Sequence, residues 1–289
     1  MSVAPDLPAG PRGTPIRGPS AVGVDLRRFV NLTRTIAATD FKLRFYGSVL
    51  GYVWQLLRPL LLFGVLYAFF TAFVRIKGVH LYGVVLLMGI MLFTFLGDAT
   101  QGSVSSLVDR EILVRKIQFP RLAVPLASVL IALFNLALNL VIVLVFLFAS
   151  GGGVHVAWLE VPLLLLALVA FATGISMLLS ALYVRYRDVK PIWDVLLQAL
   201  YFVSLILIPW EAINDDGHHA TLSHVVMINP LAAIVQQMRH ALIDPTAPTA
   251  AAAAGSWELL LVPAGIVVAL VAIGYRVFDR AAPYVAEEL

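Results

Sequence analysis

Six long apolar stretches, at about 50–74, 81–105, 122–149, 158–183, 192–210 and 257–275, alternate with shorter polar segments along the chain. Each holds roughly the 17–25 apolar residues that a helix needs to cross the hydrocarbon of a bilayer. A stretch such as "VPLLLLALVAFATGISMLLSALY" (161–183) is apolar on all sides. Strands of a membrane barrel alternate residue by residue instead, so the pattern predicts α-helices. Residues 24–45 are too charged to span. There Leu26, Phe29, Val30, Thr33, Ile36, Ala37 and Phe41 recur at helical spacing beside Arg27, Arg28, Arg34, Lys42 and Arg44. An apolar stripe flanked by a basic face predicts a helix lying in the membrane interface.

The connections differ in length. "RIKGVH" (75–80) is minimal, so the first two spans form a tight antiparallel hairpin. Residues 211–256 are long, and within them "LSHVVMINPLAAIVQQMRHALID" has two apolar patches, each too short to span, broken at Asn229 and Pro230. Proline disfavours helix at the residue before it, so two short helices dipping into the outer leaflet or capping a cavity are expected. "DPTAPTAAAAAGS" (244–256) reads as a flexible connector. The fold class predicted is all-α integral membrane: six transmembrane helices, an interfacial helix before them, and short re-entrant helices before the last span.

Composition agrees. Of 289 residues, 61% are hydrophobic and 13% charged, where a soluble domain carries about a quarter charged. Such a chain lacks the polar residues to cover a water-exposed surface. Six spans put both termini on one side. Placing that side in the cytoplasm leaves only Arg75, Lys77 and Arg239 outside, of 20 Lys and Arg. That bias fixes the orientation, both ends inside. Residues 1–22, rich in Pro and Gly, are expected to be a disordered tail, and 23–289 a single transmembrane domain.

The chemistry is sparse. No G-x-x-x-x-G-K-[ST] phosphate loop occurs, nor H-E-x-x-H, nor G-x-S-x-G. Absence of cysteine removes disulfides and thiolate metal sites. His218, His219 and His224 fall together on the 211–256 segment, where solvated histidines are commoner than ligands, so no metal site and no catalytic residue is assigned. Two charges lie inside spans. Arg58 and Asp98 each sit about eight residues from the cytoplasmic end, roughly 12 Å deep, on neighbouring helices. Intramembrane charges are costly unless paired, so an Arg58–Asp98 ion pair is expected. Among the aromatics, Trp54, Phe63, Tyr67, Tyr201 and Phe202 are candidates to line a path, offering apolar faces to sugar rings. Gly47 with Gly51 and Ala170 with Gly174 are small-residue pairs that permit close helix approach.

One segment resists a passive reading. "SLVDREILVRKIQFPRLAVP" (106–125) places Asp109, Arg110, Glu111, Arg115, Lys116 and Arg121 between two apolar spans. A loop that only obeyed the positive-inside rule would need a charge or two. Residues 107–117 can instead form a short helix with Val108, Ile112, Leu113 and Ile117 beside mixed charges, which predicts docking to a cytoplasmic partner.

Four blocks, "YGSVLGYVWQLLRPLLLFGVLYAFF" (46–70), "SLVDREILVRKIQFPRLAVPLASVL" (106–130), "YVRYRDVKPIWDVLLQ" (183–198) and "INPLAAIVQQMRHALI" (228–243), resemble the membrane subunit of ABC transporters that export polysaccharides, O-antigens and teichoic acids. The resemblance runs from about Arg27 to the C-terminus. It implies a homodimer with two copies of a separate cytoplasmic ATPase, which binds ATP and Mg while this chain binds no cofactor. It also implies a coupling helix carrying Leu107, Asp109, Arg110, Glu111, Leu113, Arg115 and Lys116, and an outer gate including Asn229, Pro230 and Arg239. The substrate implied is a polyprenyl-diphosphate-linked polysaccharide, such as a cell-wall galactan, O-antigen or teichoic acid, moved across a bacterial inner membrane, with no nucleic-acid partner. The basic interfacial helix would suit the diphosphate and the aromatics the sugars. Rivals are a drug or lipid exporter of the same superfamily, an ion-coupled carrier for which Asp98 is the one plausible coupling carboxylate, and a membrane enzyme acting on lipid-linked sugars, which the missing acid-base cluster disfavours.

Overall fold

The computed structural model describes residues 21–22, 25–45, 49–75, 79–117, 119–210 and 225–285, with backbone alone at 44–45, 49–52 and 116. Among these there are helices and no strands. Outside the description lie the expected tail at 1–20, the Gly47 of one small-residue pair, Lys77, His218, His219, His224 and the start of the expected re-entrant region.

Helix α1 (Leu26–Phe45) precedes α2 (Val49–Phe69), which ends in a π-helical turn, Phe70–Val74. Then follow α3 (Tyr82–Val104), the short α4 (Ser106–Asp109) and α5 (Glu111–Lys116), α6 (Ala123–Ala149), and α7 (Val161–Arg185), which is led by a 3-10 turn at Val156–Glu160. The remainder is α8 (Val189–Val203), α9 (Pro230–Leu242), α10 (Ala250–Ala254) and α11 (Leu261–Ala281). Five helices among the described residues are long and apolar enough to cross a membrane: α2 with its π turn, α3, α6, α7 and α11. The centre is α3, against which α2, α6, α7 and α8 pack. In its most apolar stretch 78% of residues are buried, against 11% in α2 and in α11. Those two helices therefore leave most of their apolar surface uncovered by this chain.

The stretch expected to be a fifth span, 192–210, differs. Helix α8 has 15 residues, about 22 Å at 1.5 Å per residue, short of a hydrocarbon core of roughly 30 Å. It stops at Ser204, and Leu205 adopts a left-handed φ of 56°, costly for a side chain with a Cβ. Tertiary bonds hold the break. The Ser204 hydroxyl donates to the Leu200 carbonyl (2.5 Å) and accepts from Asn229 Nδ2 (2.8 Å), while Tyr82 Oη donates to the Leu207 carbonyl (3.0 Å). Because Tyr82 opens α3 at the end away from α4 and α5, the chain from 189 to 207 does traverse the bundle, as a helix followed by irregular backbone. Hydropathy registers the apolar run but not the turn.

Around Asn229 and Pro230 the predicted break is a helix start. The Asn229 side chain accepts from Leu231 N–H (3.0 Å) and Pro230 occupies the first turn of α9, the residues that N-caps and first turns favour. The segment read as a flexible connector is instead ordered. Thr249 caps α10 by accepting from Ala252 N–H (3.1 Å), Gly255 ends it with φ 83°, and Ala250, Ala253 and Ala254 are buried.

Helices α7 and α11 approach each other closely. A Cβ built on Gly274 would lie 2.4 Å from the Gly174 carbonyl oxygen, and one on Gly174 would lie 2.8 Å from the backbone of Leu270 and Val271. Gly174, expected to permit close approach, does so against Gly274, which the small-residue spacing had not picked out.

Candidate functional site

The charged segment folds as two helices rather than one. Arg110 leaves the helical region (φ −115°, ψ 28°) and divides α4 from α5. Leu107 and Val114 are buried, packed with Phe119, Leu122, Met177, Val184 and Phe278 in a core at this end of the bundle. Leu107, expected on a docking face, is therefore an anchor beneath it. The outer face carries Ile112 and Ile117, 72% and 55% exposed, beside Asp109 and the Arg115–Glu111 pair (3.0 Å). Val108, Leu113, Ile117 and the charges around Arg110 line a shallow groove of about 510 Å³. Unpartnered aliphatic side chains ringed by charge are what a protein-docking surface presents. The side chain of Lys116 lies outside the described residues.

This segment is tied to the interfacial helix. Arg110 forms an ion pair with Asp40 of α1, both partly buried. Helix α1 buries Phe29, Thr33 and Ala37 against its neighbours and leaves Arg27, Arg28, Arg34 and Lys42 exposed, the two-faced pattern expected. Phe41 meets Phe134 of α6 edge to face (5.8 Å). Asp25, unremarked in the sequence, caps α1: its carboxylate accepts from the N–H of Arg27 (2.9 Å) and Arg28 (3.3 Å) and pairs with the Arg28 side chain (3.4 Å). The side chain of Arg44 lies outside the described residues.

Deeper in the bundle, α2, α3 and α8 enclose an open cavity of about 770 Å³. Trp54, Phe93, Tyr201 and Phe202 supply its aromatic wall; Arg58, Asp98, Gln101, Asp194 and Gln198 supply its polar one. Gln101 Nε2 donates to Asp194 Oδ1 (3.1 Å), and behind them Trp193 Nε1 donates to Thr100 Oγ1 (3.0 Å). These bonds fix α8 to α3. Tyr201 packs edge to face on Phe93 (4.7 Å), and its hydroxyl has no hydrogen-bond partner among the described residues. Arg58 and Asp98 share this wall. Phe63 and Tyr67 do not: they stack on each other (5.5 Å) and against Phe146 and Tyr82, cementing α2 to α3 and α6. Asp98 also borders a second cavity of about 500 Å³, with Asp40, Asp109, Arg110, Ser128 and Asn135.

At the opposite end α9 is buried on most of its surface, Arg239 included. Gln237 holds it at both sides, donating to Glu160 Oε2 (2.6 Å) and accepting from Ala250 N–H (2.9 Å). Just beyond, burial alone would push the Asp244 carboxyl up. The Thr246 hydroxyl and N–H donate to it (2.6 and 3.0 Å), and with His80 and the Arg239 guanidinium nearby they hold it below the ordinary carboxylate value. Among the described residues no group of three His, Cys, Asp or Glu is placed to hold a metal ion.

Known proteins resemble this chain in sequence. The family model for the ABC-2 type transporter matches residues 31–243. The chain belongs to the ABC-2 type transporter family. Two O-antigen export system permease proteins RfbA of Klebsiella pneumoniae are each 25% identical to it, one over 217 residues (75% of this chain, 82% of the relative), the other over 210 (72% and 79%). An O-antigen export system permease protein RfbA of Myxococcus xanthus is 24% identical over 265 residues, covering 92% of this chain and 98% of the relative.

As an ABC-2 permease the chain is a multi-pass membrane transport subunit and not an enzyme, and ATP hydrolysis belongs to a separate subunit. The matched region takes in α4 and α5, both cavities and α9, and stops before α11. Of the aromatics singled out in the ABC-2 sequence, Trp54, Tyr201 and Phe202 meet at the cavity. Phe93, Gln101, Asp194 and Gln198 were missed. Gln101, Asp194 and Gln198 stand near the ends of apolar runs where polar residues are ordinary, and Phe93 is one apolar residue among many. Only the facing of α3 and α8 distinguishes them.

Proposed function

We infer that this chain is the transmembrane subunit of an ATP-driven exporter of a polyprenyl-diphosphate-linked polysaccharide in a bacterial inner membrane. Two copies work with two copies of a cytoplasmic ABC ATPase. The observation that carries this is the cavity between α2, α3 and α8. Aromatic faces beside carboxylates, amides and a guanidinium are the wall a sugar chain requires: flat apolar surfaces for pyranose faces, donors and acceptors for hydroxyls. The cavity is open rather than enclosed, and α2 beside it is largely uncovered, so a second copy facing it would complete a path. The relatives' names support a polysaccharide cargo.

Within this scheme the chain crosses the membrane six times with both termini in the cytoplasm, 189–207 serving as the interrupted fifth crossing. Helices α4 and α5 dock on the ATPase through Ile112, Ile117, Asp109, Glu111 and Arg115. The basic face of α1 lies at the inner surface, where Arg27, Arg28 and Arg34 attract the diphosphate. Helix α9, with Asn229, Pro230 and Arg239, forms the outer gate. Arg58 and Asp98, on one wall of the cavity, balance charge along the path.

The test is purification of the tagged chain co-expressed with its ATPase, wild type beside a variant reversing Asp109, Arg110, Glu111 and Arg115. Co-purification with ATP hydrolysis, lost or uncoupled in the variant, is expected. Wild-type chain that retains no ATPase, with glycan transport following an ion gradient, would contradict the proposal and make Asp98 the coupling group.

A further inference from the structure

Arg121 is 4% exposed, in the turn that leads from α5 into α6. Burying a guanidinium is costly unless its donors are matched. Here Nη1 donates to the main-chain carbonyl of Ala282, the residue that ends α11. The last carbonyls of a helix have no partner within it and carry the negative end of its dipole, so a buried cation is well placed there. The same end of α11 is held by side chains. Phe278, Ala282 and Val285 are buried in one core with Leu107 of α4, Val114 of α5, and Phe119 and Leu122 from either side of Arg121. Leu122 N–H also donates to the Ala21 carbonyl (3.2 Å). Elsewhere α11 packs chiefly on α7. The Arg121 turn therefore adds a polar bond to the shared core that joins the charged segment to the last helix.

We propose that Arg121 is a positioning residue that pins the ATPase-facing segment to the cytoplasmic end of the last span, so that a push on α4 and α5 is delivered to α11. This rests on the reading of α4 and α5 as the docking segment. Arg121 touches neither nucleotide nor glycan; it acts by making two elements one body. The Arg110–Asp40 pair does the same toward α1, so the segment is held at its middle and beyond its far end, and its displacement is shared between the first and last helices described.

The chain has no cysteine, so two introduced ones are unique labelling sites. Ser105→Cys, just before α4 and partly exposed, and Tyr284→Cys, exposed beyond α11, lie on either side of the pin and outside the docking face. Spin-labelled protomers diluted into unlabelled chain, in the complex with the ATPase, would give the 105–284 distance with and without ATP. ATP consumed per glycan exported is measured on the unlabelled complex. For Arg121 the distance distribution is narrow and stays centred when ATP binds. In R121Q it broadens, and the ratio of ATP consumed to glycan exported rises roughly 5-fold or more, the scale of one coupling interaction. R121K, keeping the charge and one donor, falls between, and it carries the test if R121Q does not accumulate. Unchanged distributions and ratios in both variants, on a complex that forms normally, overturn the proposal alone. A wild-type chain that binds no ATPase overturns the docking role of α4 and α5, and the proposal with it.

Discussion

Gly274→Ala should destabilise the bundle by a measurable amount, and the structure says how much. The new methyl carbon would lie 2.4 Å from the Gly174 carbonyl oxygen and 3.3 Å from Met177 Cβ. Carbon–oxygen contacts between packed helices settle near 3.3–3.6 Å, so α7 and α11 must part by about 1 Å. The obstacle is backbone and no rotamer relieves it. Overpacking of this kind costs about 1–3 kcal/mol, here toward the upper end. Alanine is better than glycine in a helix by up to about 1 kcal/mol, which offsets part of it. A net loss of about 1–2 kcal/mol follows. The assay is reversible unfolding of the purified chain in mixed micelles, followed by tryptophan fluorescence. Gly265→Ala on the same helix is the control, since nothing lies within 4 Å of a Cβ there, and it should be neutral or stabilising. If Gly274→Ala unfolds at the same denaturant fraction as Gly265→Ala, the close crossing of α7 and α11 is wrong.

Other substitutions probe the remaining joints. Asn229→Ala removes the cap of α9 and the bond to Ser204, and should cost about 1–2 kcal/mol in the same unfolding assay. A double-mutant cycle on Asp40→Asn and Arg110→Gln should return a coupling of roughly 0.5–1 kcal/mol, and additive single effects would show the pair contributes nothing. Asp244 is held below its ordinary value, so its ion stabilises the fold above the unfolded-state pKa of about 3.9, and that contribution disappears as pH falls through the folded-state value. The stability difference between wild type and Asp244→Asn should therefore be constant near neutrality and shrink in acid; a difference that grows in acid would reverse the assignment. Ile112→Asp, at a site 72% exposed, should leave unfolding unchanged while releasing the ATPase, and retention of the ATPase would move the docking face elsewhere.

Much of the architecture is legible because membrane burial acts on long runs. Spans α2, α3, α6, α7 and α11 each announce themselves by apolar length, and α1 by a stripe beside arginines. What escapes is set by contacts between residues distant in sequence. Ser204 ends α8 because Asn229 and Tyr82 bond around the break, and no local signal marks it. The alanine run 250–254 looks like a linker, yet Thr249 and Gly255 are its cap and stop, readable in hindsight from residue type alone. Arg110 splits the predicted docking helix in two while pairing with Asp40, 70 residues earlier. For the cavity, Trp54, Tyr201 and Phe202, expected on chemical grounds, meet, whereas Phe63 and Tyr67, expected on the same grounds, turn into packing. Sequence gives residue type and depth in the membrane; it does not give the direction a side chain faces.

The most direct test of lipid-linked glycan export is the sidedness of the glycan when this chain is depleted in its own cell. Lipid-linked saccharide would be extracted after treatment of intact spheroplasts with a membrane-impermeant oxidant of sugars. Depletion should leave the glycan protected, accumulated at the inner face, and wild-type chain should restore exposure while Ile112→Asp does not. Glycan equally exposed with and without the chain would contradict its role as the exporter.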